Sequence, residues 1–215
     1  MPVDILWWLN ITMNPPRANT PITSVTRGKA GGYGGLYLTF VRDKEESMTN
    51  ACETLYLREP CGGVPNNALP VLLYRHVLPE NADDAAVWFE QRFGQHQWPA
   101  RWRYPVFTYT HFHTNTHEVL GIYAGEAQIQ LGGEDGPVVT LRTGDAVLIP
   151  AGVGHKQIDA SADFMAVGAY PEGLSPDKFL DEPAQLAQTR KNVAQVATPG
   201  RDPLYGTEGG LVTLW

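Results

Sequence analysis

Two short constellations about forty positions apart set the strongest limit on how this chain can fold. The first is His111-Phe-His113 with His117-Glu118 and Gly125 close behind; the second is Gly144, then Pro150-Ala-Gly152 and His155. Four of the six histidines fall within them. Imidazole and carboxylate side chains suit a divalent first-row metal ion, and three imidazoles with one carboxylate fill most of its coordination shell. Alternation along a strand puts His111 and His113 on one face, with Phe112 turned to the other. Glu118 follows a turn-like Thr114-Asn115-Thr116, and His155 has to arrive from a distant strand. Only a chain that folds back across itself brings this set to one point.

The pattern around the histidines supplies such returns. From Pro105 onward the sequence reads as strand after strand: Val106 to His113, Glu118 to Ala124, Ala127 to Leu131, Val138 to Arg142, Ala146 to Ile149, His155 to Ile158 and Phe164 to Ala169. Gly132-Gly133-Glu-Asp-Gly136 and Thr143-Gly144-Asp145 are turns between them. This cadence fits a jelly-roll barrel with a core at about 105–170 and a pocket between its walls. Upstream, Glu53 to Leu57 and Leu69 to Val77 add strands. Asp83 or Asp84 can cap a helix over 83–95, placed outside the barrel, with Trp98 and Trp102 sealing its exit. The tail, 171–215, contains a short helix from Gln185 to Val193 and a last strand from Leu211 to Trp215. Residues 1–47 have a different texture, with Pro15-Pro16, four glycines among positions 31–35 and the charged run Arg42 to Glu46. They read as a poorly structured N-terminal extension, in which Gly35 to Val41 alternates like an edge strand, ahead of one domain over 48–215.

Composition narrows the function classes. A length of 215 residues, 43% of them hydrophobic, provides for one sizeable core. The formal charge is −7, and no run of Lys or Arg tracks a phosphate backbone, which argues against nucleic acid and against an anionic membrane surface as partners. The apolar start, Ile5 to Leu9, is too short to span a bilayer and follows Asp4, which is not the basic flank of an export signal. A cytoplasmic location is therefore expected, with Cys52 and Cys61 as reduced thiols, although their spacing permits a disulfide. No Ser-His-Asp or Cys-His nucleophile arrangement stands out.

The two constellations resemble the paired motifs of the cupin superfamily: His-x-His, three or four residues, Glu, six residues, Gly, and then Gly, five residues, Pro-x-Gly, two residues, His. Asp159 stands where that second motif ends in Asn. A nearer resemblance, from about Glu53 to Trp215, is to the small YjlB-like cupins. It is carried by His113-Thr-Asn-Thr-His117-Glu118-Val-Leu-Gly121, Ile149-Pro-Ala-Gly-Val-Gly-His155-Lys156, Val167-Gly-Ala-Tyr170-Pro171 and Asp202-Pro203-Leu204-Tyr205-Gly206. The resemblance implies an all-β double-stranded β-helix, or jelly-roll barrel, with one or two peripheral helices. It implies a divalent ion (Fe, Mn, Ni, Zn or Cu) held by His111, His113, Glu118 and His155, a small-molecule ligand, and pairing as a homodimer.

The residues themselves leave one choice open. His117 has the strand parity of His113, so an unbroken phase makes the site all-histidine, whereas a turn that resets the phase admits Glu118. With Glu118 as ligand, His117 is the candidate general acid or base, beside the site. Two functions are then compatible with the chain. One is a metal-dependent enzyme acting on a small organic molecule, with oxygenase chemistry among its options. The other is a non-catalytic cupin that binds a small molecule or a metal ion.

The leader generates a first prediction. Ordering its glycines costs backbone entropy with little apolar burial to offset it. A protein starting at Met48 should keep cooperative unfolding and most of its melting temperature in a thermal scan; loss of the cooperative transition would show residues 1–47 to be integral.

Overall fold

A computed structural model describes residues 52–172 and 174–215, so the extension expected over 1–47 and its edge strand lie outside the described residues. The elements run β1 (Cys52–Leu55), β2 (Val71–Tyr74), α1 (Ala85–Gln95), β3 (Ala100–Tyr104), β4 (His111–Phe112), β5 (Glu118–Ala124), β6 (Glu126–Leu131) and β7 (Val138–Arg142). They continue with β8 (Ala146–Ile149), β9 (His155–Ala160), β10 (Met165–Ala169), β11 (Phe179–Leu180), a 3-10 turn at Pro183–Gln185, α2 (Leu186–Val193) and α3 (Gly210–Leu214). Strands β1-β2-β8-β5-β10-β3 form one sheet and β11-β4-β9-β6-β7 a second. All pairings within them are antiparallel, and most neighbours are distant in sequence. This is the all-β jelly roll expected, with helices at its periphery.

The two sheets are covered unequally. Val71, Leu73, Leu120, Ile122, Val147 and Ile149 of the six-stranded sheet pack against Ala127, Ile129, Leu131 and Leu141 of the other. On the outer face of the six-stranded sheet, Leu72, Tyr74, Val119, Ala146, Leu148, Val167 and Ala169 meet α1 and the C-terminal tail. Strands buried on both faces read as continuous apolar runs, as Val71-Leu-Leu-Tyr74 and Ala146-Val-Leu-Ile149 do. The five-stranded sheet keeps one solvated face, and β6 correspondingly alternates buried and more exposed residues.

Helix α1 starts where Asp84 accepts the Val87 N–H at 3.0 Å, the second of the two candidate caps. Its buried Ala86, Phe89 and Phe93 face the sheet. Phe89 lies over Gly121, where a Cβ would stand 2.4 Å from the ring, so the glycine of β5 makes the seat for the helix. Full burial of such a ring contributes about 2–3 kcal/mol.

Three features depart from the sequence reading. Trp102 belongs to an edge strand, β3, and pairs with Gly168 of β10 beside a bulge. Its alternation is masked by arginines at 101 and 103 and closed by Pro105. The strand expected from Val106 to His113 shrinks to β4, because the chain between bends out as a loop whose Phe107 carbonyl accepts the Gln157 N–H. The last strand expected, Leu211 to Trp215, is instead the helical turn α3.

That helical turn follows from a buried carboxylate. Asp202 is fully enclosed; its Oδ1 accepts the N–H groups of Leu204 and Tyr205 (2.8 and 3.1 Å), and its Oδ2 accepts the Leu211 N–H (3.0 Å) and the Tyr74 hydroxyl (2.5 Å). Burial, with the Asp202 charge beside it, pushes the Tyr74 phenol upward, so it stays a donor. The Trp98 and Trp215 indoles donate to the carbonyls of Arg201 and Pro70, and so tie the tail to the sheet. Asp202→Ala removes one acceptor from four donors at once. It should cost about 3 kcal/mol in urea-induced unfolding, most of it the penalty of unsatisfied buried donors.

Candidate metal centre

The strand register brings together three histidines, two from the first constellation and one from the second. His111 in β4 and His155 at the start of β9 are direct antiparallel partners, and their ring centroids lie 4.1 Å apart. His113 follows β4 on the same face. Ligand nitrogens of His111, His113 and His155 lie within 4.8 Å of one another, and all three residues are buried. Glu118 comes from the opposite sheet. Along β5, Glu118 shares its parity with Leu120 and Ile122, which enter the core between the sheets, while Val119 faces outward. Its Oε2 stands 3.1 Å from His155 Nε2 and 3.4 Å from His113 Nε2.

The same parity carries His117 away. The turn at Thr114-Asn115-Thr116 resets the phase, and His117 emerges toward the outside of β5, 4.8 Å from the Trp215 ring centroid. There its Nδ1 accepts the Ala151 N–H at 3.0 Å. It is not among the residues lining the cavity at the histidines. The all-histidine arrangement is therefore not formed, and the proton carrier expected at the rim is a buried brace. It holds the Pro150–Gly154 turn, whose Gly152, at φ +83°, also donates its N–H to the His113 carbonyl at 2.7 Å. That turn aims His155.

Hydrogen bonds assign the faces of the ligand rings. His111 Nδ1 meets the Tyr109 carbonyl and His155 Nδ1 the Val153 carbonyl, each at 3.2 Å, and His113 Nδ1 meets the Asp177 carbonyl. A carbonyl only accepts, so each Nδ1 carries its hydrogen and each Nε2 is left for a ligand. Two such nitrogens then face one carboxylate oxygen. Lone pairs opposed to a carboxylate at this range repel, so a cation belongs there, either a proton on a ring or a metal ion. The Oε2 of Glu118 is buried and faces these two rings. Its Oε1 is occupied by the Tyr170 hydroxyl, which in turn accepts the Trp102 indole N–H at 2.9 Å.

The electrostatics agree with a cation site. Burial, with His155 adding to it, lowers His111 to about 3, leaving a neutral ligand. Burial alone would raise Glu118, but the charges and hydrogen bonds of His113 and His155 outweigh it and keep the carboxylate ionised. Burial likewise opposes charge on His113; the Glu118 charge and hydrogen bond overcome it and raise the ring above its ordinary value. Burial, then the Glu118 charge, raises Tyr170, so the phenol keeps its proton and remains a donor to Glu118. Burial lowers His117 to about 4. The donor set of three Nε2 atoms and one carboxylate oxygen suits a divalent ion of the zinc or iron type.

The centre opens into a cavity of about 500 Å³ with mostly apolar walls, including Trp102, Val106, Leu120 and Tyr170. Phe107 lines it as well. Sequence reasoning missed Trp102 and Asp177. The first was hidden in an unrecognised strand, and the second acts through its backbone carbonyl, which has no residue signature. No helix among the described residues is long and apolar enough to cross a membrane, and Cys52 and Cys61 are unpaired.

Three comparisons bear on this geometry. The Cupin domain family matches residues 101–167. The chain is 39% identical over 155 residues to the uncharacterized protein YjlB of Bacillus subtilis (strain 168), across 72% of this chain and 91% of that one. Among solved structures, similarity is found to a predicted oxalate decarboxylase from Thermotoga maritima, at 17% identity and a TM-score of 0.28, over 60% of this chain and 96% of that one. It is also found to the DMSP lyase DddQ from Ruegeria pomeroyi DSS-3, at 24% identity and a TM-score of 0.29, over 60% of this chain and 50% of that one. Likenesses at these scores say nothing about the reaction.

The site generates a set of substitutions. His113→Ala and His155→Ala should leave the protein without ion under conditions that load the wild type, measured by elemental analysis. Tyr170→Phe, which frees Glu118 to rotate, should weaken metal binding about tenfold. His117→Ala should still load metal but lose about 1–3 kcal/mol of stability, because the Ala151 N–H loses its acceptor. Since the His113 pKa is raised in the metal-free site, protons compete with the ion. Affinity should rise with pH through the neutral range and fall on acidification, as read by titration with a metal indicator.

Proposed function

We propose that this chain, which belongs to the cupin family and within it to the YjlB-like group, is a metal-dependent enzyme acting on a small organic molecule. The observation that carries the reading is the convergence of imidazole Nε2 atoms on a buried carboxylate at the wall of a substrate-sized cavity. His111, His113, Glu118 and His155 would hold the ion, which when bound supplies a Lewis acid or a redox centre. Oxygenase chemistry is the form of this reading to be tested first.

The chain's own groups define what surrounds that chemistry. The carbonyls of Tyr109, Val153 and Asp177 fix the imidazole rings in one tautomer, so that no ring has to turn during a reaction. Tyr170 and Trp102 hold Glu118 through a single oxygen and leave the other directed at the histidines. Trp102, Val106 and Leu120 exclude water from the inner wall and make it suited to a carbon skeleton. His117 moves no proton in this scheme, because it lies on the other side of β5.

Purified protein should retain close to one divalent ion per chain, and small carboxylates, carbonyl compounds and phenols should be screened with it in air and under nitrogen. Turnover that disappears in His155→Ala supports the enzyme, and dependence on air identifies an oxygenase. An ion retained with no turnover and no spectral response to added azide would instead support a non-catalytic metal-binding cupin. Failure to load any divalent ion would remove both metal readings.

A further inference from the structure

The outer end of the cavity carries chemistry that the metal centre does not use. Two cationic side chains line the cavity, Arg103 and Lys178. Arg103 is engaged, with its guanidinium forked onto Glu90 at 2.6 and 2.8 Å. Lys178 has no carboxylate within ion-pair distance among the described residues; its ammonium donates to the Tyr109 hydroxyl at 3.1 Å. The neighbouring Asp177 carboxylate is turned toward Thr114, accepting its N–H and its hydroxyl at 2.6 and 2.5 Å.

Beneath that ammonium is an aromatic floor. Lys178 Nζ stands 4.8 Å from the Phe107 ring centroid, and Phe107 and Tyr109 are stacked with centroids 5.0 Å apart and planes 14° from parallel. Phe107 is 40% and Tyr109 41% exposed, so the stack presents apolar surface that a ligand at the mouth can cover. The stack leads inward, because the Phe107 ring also lies 5.0 Å from the His111 ring, edge to face. Lys178 is itself fixed to the centre: one residue before it, the Asp177 carbonyl receives His113 Nδ1–H, and one residue after it, Phe179 pairs with Phe112 of β4.

We propose that Lys178 and Phe107, with Tyr109 stacked on Phe107, form the recognition end of the cavity, selecting an organic carboxylate with an aromatic or extended apolar body. The carboxylate pairs with the Lys178 ammonium at the mouth, and the body lies along Phe107 toward His111 and the apolar inner wall. Charge points the same way. With a divalent ion, neutral imidazoles and the Glu118 carboxylate, the inner site is a net cation, and Lys178 places a positive charge at the mouth, whereas Asp177, also on the wall, turns its carboxylate to Thr114. This assignment rests on the metal-dependent reading only for what happens to the bound molecule; selection by Lys178 does not require the ion.

The test uses the full chain, metal-loaded and after chelation, titrated calorimetrically with phenylacetate and with its uncharged isostere phenylacetamide. Phenylacetate should bind the wild type about tenfold more tightly than the amide, the scale of one charge-assisted hydrogen bond. Lys178→Met keeps the aliphatic stem and should abolish that preference while leaving metal content and amide binding unchanged. Lys178→Arg should restore most of it. The preference should persist in weakened form after chelation, so a protein that holds no metal but discriminates through Lys178 would sink the metal reading alone. Equal binding of both probes, no binding of either, or a preference that vanishes on chelation yet survives Lys178→Met would overturn the assignment.

Discussion

The carboxylate of Glu118 is the group around which the centre is arranged. At 2% exposure it is cut off from water, and an ionised carboxylate in that position costs several kcal/mol unless it is paired and hydrogen-bonded. Every neighbour answers that cost. Tyr170 donates to one oxygen, Trp102 holds Tyr170, and His113 and His155 face the other oxygen from the opposite sheet. The backbone carbonyls behind the three rings then decide what those rings present. A set of contacts that would be destabilising with nothing between the rings and the carboxylate becomes favourable once a positive charge sits there.

Much of this was legible because it rests on spacing. Glu118–Ala124, Val138–Arg142 and Ala146–Ile149 fall where alternation and turn glycines placed them, and a chain with those strands has to bring His155 back to His111. Sequence alone left the phase through Thr114-Asn115-Thr116 undecided, since a single residue of slip exchanges the two faces of β5. What settles it is the company each residue keeps: Glu118 continues the row of Leu120 and Ile122, and His117 continues the row of Val119. Histidine at 117 looked chemical because its type is chemical, yet here it accepts one backbone N–H and props a turn.

The unread parts share a cause, which is that tertiary partners override local pattern. Trp102 in β3 is flanked by arginines that belong to an edge strand, and one of them reaches to Glu90 on α1. The Leu211 to Trp215 segment has the composition of a strand, but the buried Asp202 carboxylate captures its first N–H and the chain coils. Asp177 and Lys178 sit in a stretch with little periodicity, where Asp177 meets His113 through its carbonyl and Lys178 reaches the Tyr109 hydroxyl.

The unequal covering of the sheets divides the candidate metal site mechanically. Glu118 is rooted in the six-stranded sheet, which α1 and the tail clamp from outside, whereas His111 and His155 belong to the sheet with a bare face. Local opening favours the less covered layer, where fewer apolar contacts resist it. Partial opening would thus lift the imidazoles off a stationary carboxylate and expose the ligand nitrogens to solvent while most of the fold stays closed. An ion could then be exchanged on the timescale of that motion, decoupled from the far slower unfolding of the whole domain.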